Sequence, residues 1–249
     1  MKIFFALTSL VLFLAVNATA GTTNTLSDAE IQGRQLAQQL CEAIPEGNFT
    51  NTGILQIRSS NGSRTNLTFN GQVTVAKSNW QSFYYVPLKS ESGIPDSISL
   101  VINSSHNQSH EYLYTPAGAC IPAILKSSET MIPFANSDFW LCDLGLEFFH
   151  WPAQKVLKKE IKRSRGCTVL ESTNPNPATN GYSRVVSWID SESGGIVQAQ
   201  AYDFNGKLLK EFAPKSFKKV NGQWELQEMQ INNVQTGSRT RLDFDLKAK

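Results

Sequence analysis

The spacing of hydrophobic residues near residue 30 is helical. Ser27 begins a Ser-Asp-Ala-Glu sequence, in which the serine hydroxyl and the carboxylate of Glu30 can each accept a backbone N–H at the start of a helix. Apolar residues then recur at near-helical spacing until Pro45 and Gly47 interrupt them: Ile31, Leu36, Leu40, Cys41 and Ile44. The pattern predicts one amphipathic helix over residues 28–44.

The period changes to two after residue 53, which is typical of β-strands. Residues 53–58 and 65–75 flank Asn61-Gly62, a pair that favours a tight hairpin because both residues tolerate positive φ. Further strands are predicted at 81–88, 97–102 and 111–114, with 103–110 as a hairpin tip, and then at 155–162, 168–171, 183–190, 195–202, 208–212, 223–231 and 239–246. Residues 155–163 also fit a helix by propensity, but the nearby Gly166 favours a strand.

The last predicted strand has one apolar and one charged face. Thr240, Leu242, Phe244 and Leu246 alternate with Arg239, Arg241, Asp243 and Asp245. The dry face of such a sheet must be covered. The chain offers the N-terminal helix and residues 121–153, a proline-interrupted apolar segment for which we predict a loop with short helices, most clearly at 140–149. We therefore predict a mainly β (α+β) fold, a curved antiparallel sheet of about ten strands covered by these two parts, with room for a cavity.

The first twenty residues resemble a secretory signal peptide. Lys2 precedes an apolar run over residues 3–16, and Ala18-Thr19-Ala20 supplies small residues before a cleavage point. The run is shorter than the roughly 20 residues that a membrane-spanning helix needs. We expect cleavage after Ala20, a single domain over residues 21–249 and a soluble, exported protein.

Charge and cysteine content narrow the function classes. The net charge of +2 does not indicate nucleic-acid binding, although residues 21–150 hold 6 Lys and Arg against 11 Asp and Glu, and residues 151–249 hold 16 against 10. The basic half is compatible with an anionic lipid, an acidic partner or simply solvated strands. Four cysteines, Cys41, Cys120, Cys142 and Cys167, permit disulfides in an exported chain without defining a pairing.

The usual enzyme motifs are absent from the sequence. It contains no Gly-x-Ser-x-Gly, phosphate-binding Gly-x4-Gly-Lys-Ser/Thr or His-Glu-x-x-His sequence. His106 and His110 lie in a polar turn-like context and are expected to be exposed, and His150 is expected to be packed. Asp190 and Asp203 precede turns, where carboxylates bind local backbone N–H groups. We predict no catalytic residues, no metal and no cofactor.

Five sequence blocks in the carboxyl half resemble the outer-membrane lipoprotein-sorting (LolA-like) family of bacterial exported proteins. They share its order and spacing over about residues 165–246: VVSWID (185–190), AYDFNGKLLK (201–210), FKKVNGQW (217–224), EMQINNVQTG (228–237) and LDF (242–244). YLYTP (112–116), SDF (137–139) and DL (143–144) resemble its central blocks more weakly. The resemblance implies an incomplete antiparallel β-barrel, with helices over a hydrophobic cavity that binds the acyl chains of lipids or lipoproteins.

These expectations lead to one functional hypothesis, one alternative and, as a third class, an exported hydrolase without a recognisable motif. The hypothesis is a periplasmic carrier for outer-membrane lipoprotein sorting, with lipoprotein or lipid acyl chains as ligands and inner- and outer-membrane lipoprotein-transfer proteins as partners. The alternative is a periplasmic sensor of the same fold that contacts a membrane protein. From strand alternation, ten residues are expected to line the cavity: Leu36, Leu40, Tyr84, Leu113, Phe148, Val186, Trp188, Met229, Leu242 and Phe244.

Overall fold

A computed structural model describes residues 26–89, 96–106, 108–220 and 223–246. The predicted signal peptide and Asn221-Gly222 lie outside these residues. Thirteen strands are present: β1 (Phe49–Arg58), β2 (Arg64–Ala76), β3 (Asn79–Leu88), β4 (Asp96–Ser105), β5 (Glu111–Thr115), β6 (Ala123–Leu125), β7 (Ala153–Lys162), β8 (Arg165–Thr173), β9 (Arg184–Asp190), β10 (Ile196–Tyr202), β11 (Leu208–Val220), β12 (Gln223–Asn233) and β13 (Arg239–Phe244). The predominantly antiparallel β architecture is confirmed, and the predicted count of about ten strands is too low.

All thirteen strands form one antiparallel sheet in the order β6-β5-β4-β3-β2-β1-β13-β12-β11-β10-β9-β8-β7. Strands adjacent in sequence are adjacent in the sheet, except β6 and β7, and the first strand also pairs with the last: Leu55 lies opposite Leu242. This pairing places β6 and β7 at opposite edges. Residues 126–152, here called the central segment, must therefore connect the two edges.

The two faces of the sheet are buried to different extents. The face called the inner face carries the main core, including Leu55, Phe69, Leu100, Ile231 and Leu242, each at most 3 % exposed. The alternation predicted for β13 is confirmed, because Thr240, Leu242 and Leu246 are buried. The opposite, outer face is mostly polar and carries one smaller apolar cluster: Cys167, Val169, Val186 and Trp188.

The N-terminal helix, α1 (Asp28–Cys41), ends three residues before the predicted boundary. Its capping box is confirmed: the Ser27 backbone N–H donates to Glu30 at 2.8 Å, and the Glu30 backbone N–H donates to the Ser27 hydroxyl at 3.4 Å. The helix packs against β7, where a Cβ atom on Gly33 would lie 2.5 Å from the Lys155 backbone nitrogen. No helix among the described residues has the length and apolarity needed to cross a membrane.

The central segment contains only short helices. They are 3₁₀ helices at Ser127–Glu129, Phe134–Asn136 and Glu147–His150, and one α-helical turn, α2 (Leu141–Leu144). The prediction of short helices around 140–149 is confirmed, whereas β6 was not predicted. All four cysteines are free thiols.

Candidate functional site

The central segment fills the inner face of the sheet with large apolar side chains. Phe134, Phe139, Leu141 and Phe148 are each at most 3 % exposed. The Phe134 ring lies 6.5 Å from that of Tyr84 on β3, and the Phe148 ring lies 6.3 Å from that of Phe212 on β11. The segment therefore joins both halves of the sheet into one core.

Unfavourable backbone conformations are concentrated in this segment. Ala135, Asn136 and Leu146 have φ values of 51°, 56° and 51°. Left-handed conformations cost about 1–2 kcal/mol for most residues with a side chain. Asparagine tolerates this region, so packing against the sheet must offset the cost at Ala135 and Leu146, and detachment of the segment would release strain at these two positions.

A buried charged cluster, called the lysine end, fixes one part of the central segment to the sheet. Lys210 on β11 is 1 % exposed, and its Nζ atom lies 3.7 Å from Asp143 Oδ2 and donates to the Asp138 carbonyl at 2.8 Å. Asp143 also accepts hydrogen bonds from the Tyr182 hydroxyl at 3.0 Å and the Trp140 backbone N–H at 2.8 Å. These contacts satisfy both charges away from water.

Aromatic rings complete the surroundings of the ammonium group. Lys210 Nζ lies 3.5 Å from the Trp140 ring centroid, and the Trp140 and Tyr182 rings are stacked at 4.5 Å. Burial lowers the pKa of Lys210 to about 8 despite the attraction of Asp143. Burial likewise raises the pKa of Asp143, against the opposing effect of Lys210. Lys210 remains mostly protonated at neutral pH and forms a cation–π contact.

A second anchor lies at the same end, on the last strand. Asp138 Oδ2 accepts from the Thr240 hydroxyl at 2.8 Å, and the Asp138 backbone N–H donates to the same hydroxyl oxygen at 2.9 Å. Sequence reasoning did not identify this cluster as a site. Lys210 and Phe212 lie on the same face of β11, since they are two residues apart. A lysine at a position where the alternating pattern predicts an inward apolar residue is therefore the sequence signal for this cluster.

A different polar cluster, called the histidine end, lies where the segment approaches β5 and α1. The Nε2 atoms of His110 and His150 are 3.2 Å apart, so one imidazole donates to the other. His110 Nδ1 lies 3.9 Å from Glu147 Oε2. Glu147 also accepts hydrogen bonds from the Tyr112 hydroxyl, at 2.8 Å, and from the Ser127 hydroxyl.

The groups at the histidine end favour their neutral forms. Burial, followed by the neighbouring His150, lowers the pKa of His110 to about 4. Burial also lowers the pKa of His150 and raises that of Glu147. His110 Nδ1 is buried without a hydrogen-bond partner. The expectation of an exposed His110 is wrong, because the β4–β5 hairpin folds it against the central segment, whereas the packed position of His150 is confirmed.

A recess of about 340 Å³ opens beside the histidine end, between α1 and the central segment. Cys41 and His150 both line it. Burial, followed by the nearby Glu147, raises the pKa of the Cys41 thiol to about 12. Since the thiolate is the nucleophilic form, this pair lacks the electrostatics of a catalytic Cys–His dyad. Among the described residues, no group of three or more His, Cys, Asp and Glu side chains is arranged to hold a metal ion.

Solved structures with a similar fold support the resemblance in the sequence. A domain assigned to outer membrane lipoprotein sorting, from Vibrio parahaemolyticus, superposes with a TM-score of 0.69 and 18% identity over 87% of this chain and 92% of that one. A DUF1329 family protein from Desulfovibrio piger superposes with a TM-score of 0.69 and 17% identity, over 88% of this chain and 92% of that one. A LolA superfamily protein from Nitrosomonas europaea superposes with a TM-score of 0.58 and 15% identity, over 87% of this chain and 94% of that one. The fold is LolA-like.

A family model described as "Uncharacterized protein" matches residues 84–247, which is more than half of the chain. The chain belongs to this family. Among curated proteins, none shows significant sequence similarity. The match begins at Tyr84 on β3 and therefore includes the central segment and both of its polar ends.

The ten predicted cavity residues do not share one surface of the LolA-like sheet. Seven lie in the main core or pack against it: Leu36, Leu40, Tyr84, Phe148, Met229, Leu242 and Phe244. Val186 and Trp188 instead belong to the outer cluster. Leu113 lies opposite Val101 and Ile124, between the inward residues Tyr112 and Tyr114. The predicted orientation of these three residues toward the main core is wrong.

The space predicted for a ligand is occupied by the protein's own side chains. Three surface recesses, of about 340, 330 and 650 Å³, are lined by none of the ten residues. The inner-face apolar groups that would meet an acyl chain instead form one core cluster with the side chains of the central segment. A ligand would reach them only after displacing this segment.

Proposed function

We propose that this protein is a periplasmic carrier that binds the acyl chains of lipoproteins or lipids against the inner face of its sheet. The observation that carries the proposal is the LolA-like sheet whose apolar face is covered by a separate chain segment rather than by a second sheet. In this state the central segment occupies the place of the acyl chain. Binding exchanges one apolar cover for another.

The energies of this exchange are of similar size. Burying the methylenes of a 16-carbon chain contributes about 12 kcal/mol before ordering costs. Exposing the six large side chains of the central segment costs roughly 9–18 kcal/mol, at about 1.5–3 kcal/mol each: Phe134, Phe139, Leu141, Phe148, Phe149 and Trp151. Relief of backbone strain reduces that cost. A near balance suits a carrier, which must release its ligand without an energy source.

The remaining parts of the proposal concern location and partners. The N-terminal residues predict export to the periplasm, where ligands would come from an inner-membrane protein and pass to an outer-membrane acceptor. Contact with either partner would shift the balance by loosening or restoring the central segment. No catalytic role is proposed, because the buried titratable groups connect the segment to the sheet.

A photoreactive fatty acid provides a direct test. After irradiation, peptide mass spectrometry should locate the label on inner-face residues such as Tyr84, Met229 and Phe244. Trp188 on the outer cluster serves as the internal control and should remain unlabelled. Absence of bound lipid in solvent extracts, together with no uptake or with labelling confined to the outer face, would refute the carrier.

The filled inner face also favours the alternative, a sensor that binds a membrane protein without carrying lipid. The β11–β12 hairpin exposes two aromatic residues, Trp224 at 71 % and Phe217 at 53 %. If this hairpin contacts a protein, Trp224→Gln should abolish cross-linking to a membrane protein that remains bound after lipid removal. Phe204→Gln, at a residue 50 % exposed in another turn, is the matched control. Equal cross-linking by both variants would argue against the sensor.

A further inference from the structure

Four arginines lie close together on the outer face of the sheet, where β1 ends and β2 and β13 begin. Arg58 lies opposite Arg64 on one side and opposite Arg239 on the other. One step back along the strands, Arg241 lies opposite Gln56. Residues opposite each other in a sheet have their side chains on the same face. The pairing therefore places two like-charged pairs side by side.

Few carboxylates balance this charge. Arg241 Nε lies 3.0 Å from Glu228 Oε1. Within the described residues, Arg58, Arg64 and Arg239 form no ion pair with a carboxylate. Like charges directly opposite each other destabilise a sheet. An anion from outside the chain would remove this repulsion.

The arginines surround a recess and not a flat surface. The recess has a volume of about 330 Å³ and is lined by the four arginines together with Gln56, Ile57 and Asn66. Guanidinium groups present paired N–H donors that match the oxygens of a phosphate, and the two amides add neutral donors. The volume holds a phosphate and part of the molecule to which it is attached.

We propose that this recess binds the phosphate group of a phosphorylated ligand. The phosphate can be a free ion or part of a lipid headgroup, since both present the same oxygens. The site lies on the face of the sheet opposite the proposed acyl-binding surface and does not depend on the carrier function. Arg58, which faces two other arginines, is expected to contribute most to binding.

Calorimetric titration tests the proposal with two probes: inorganic phosphate, and phosphatidylcholine vesicles with and without phosphatidylglycerol. Arg58→Gln/Arg239→Gln should weaken binding by about tenfold or more, because two charge-assisted contacts are lost. Lys159→Gln/Lys207→Gln removes the same charge from exposed sites elsewhere and should leave affinity within about twofold. Binding of phosphate alone identifies a free-ion site, and binding of anionic vesicles alone identifies a headgroup site.

Thermal melting at low salt separates a binding role from a structural one. Without ligand, Arg58→Gln should raise the melting temperature because it relieves repulsion, and the gain should shrink at high salt. A lowered melting temperature would indicate a structural role and overturn the proposal. Failure of both probes to bind the wild type, or equal losses in the two double variants, would overturn it as well.

Discussion

The two ends of the central segment are attached to the sheet by different chemistry. At the lysine end, an ammonium group and a carboxylate lie 3.7 Å apart and receive further hydrogen bonds and aromatic contacts. At the histidine end, two imidazoles share one hydrogen bond, and His110 Nδ1 is buried without a partner. The first end holds charges that stabilise each other. The second holds groups whose charged forms are disfavoured by burial.

This difference indicates where the central segment opens first. Opening the lysine end breaks an ion pair together with the hydrogen bonds and the cation–π contact of Lys210. Opening the histidine end breaks the single hydrogen bond between the imidazoles and gives the unpartnered His110 Nδ1 access to water. Buried groups with unsatisfied hydrogen bonds gain most from opening. We therefore expect the segment to detach from the histidine end and to remain attached near Asp138.

The largest effect is expected from Lys210→Met, which tests the lysine end. The substitution leaves Asp143 buried without its counter-charge and should lower the free energy of unfolding by about 3–5 kcal/mol. Urea denaturation measures this change. Lys207→Met, at an exposed position before the same strand, should alter stability by no more than about 0.5 kcal/mol.

A second substitution separates charge pairing from packing. Lys210→Met/Asp143→Leu removes both charges and should regain most of the stability lost in the single variant, because no isolated charge remains. If the double variant is as unstable as the single one, the loss comes from packing around Trp140, and the lysine end is not an ionic anchor.

Gly33→Ala disturbs the packing of α1, the helix that contacts the histidine end at Glu147–His150. The new Cβ atom would lie 2.5 Å from the Lys155 nitrogen and 2.6 Å from its Cα atom. Forcing extra volume into a packed interface costs about 1–3 kcal/mol. Hydrogen exchange should then accelerate at Glu147–His150 more than at Leu141–Leu144. Gln39→Ala on the exposed side of the same helix is the control, and equal acceleration at both ends would contradict an opening that starts at the histidine end.

Local signals in the sequence predicted the parts of the fold that depend on neighbouring residues. The capping box at Ser27, the Asn61-Gly62 hairpin and the alternation around Leu242 each act over a few positions and are confirmed. Strand pairing between β1 and β13 joins residues almost two hundred positions apart in the chain. Without that pairing, the path of the central segment from one edge of the sheet to the other could not be derived.

The candidate site was harder to predict for a related reason. On β9, every residue from Val185 to Asp190 is buried, so alternation does not show which side faces the main core. Trp188 was therefore assigned to the wrong face. Lys210 was overlooked because lysines are rarely buried unless they are paired, and its partner Asp143 lies in an irregular segment whose position no periodicity defines.

Acidification should weaken the histidine end selectively. The unfolded chain binds a proton at His110 near pH 6.5, but the folded chain does so only near pH 4. Stability from the neutral imidazole is thus complete above pH 6.5 and is lost as the pH falls toward 4, by about 2 kcal/mol between pH 7 and 5. Comparing urea denaturation at the two pH values should show the full loss in the wild type and in His106→Gln but a smaller one in His110→Gln, where only His150 retains a pKa that burial lowers. The same pH dependence in all three proteins would assign it to other groups.

The smallest predicted effect gives the clearest contrast between the two ends. Replacing a carboxylate by an amide should raise the stability of the protein at the histidine end and lower it at the lysine end. Glu147→Gln keeps an acceptor for Ser127 and removes a carboxylate whose pKa is raised by burial. Above that pKa the charged form is penalised by burial, so the variant should be more stable than the wild type at pH 7. The gain should disappear near pH 4, where Glu147 is protonated. Asp143→Asn leaves Lys210 buried without a counter-charge and should instead destabilise the protein at pH 7. Chemical denaturation measures both effects. If Glu147→Gln and Asp143→Asn both destabilise the protein, both carboxylates act as anchors, and the proposed order of opening is wrong.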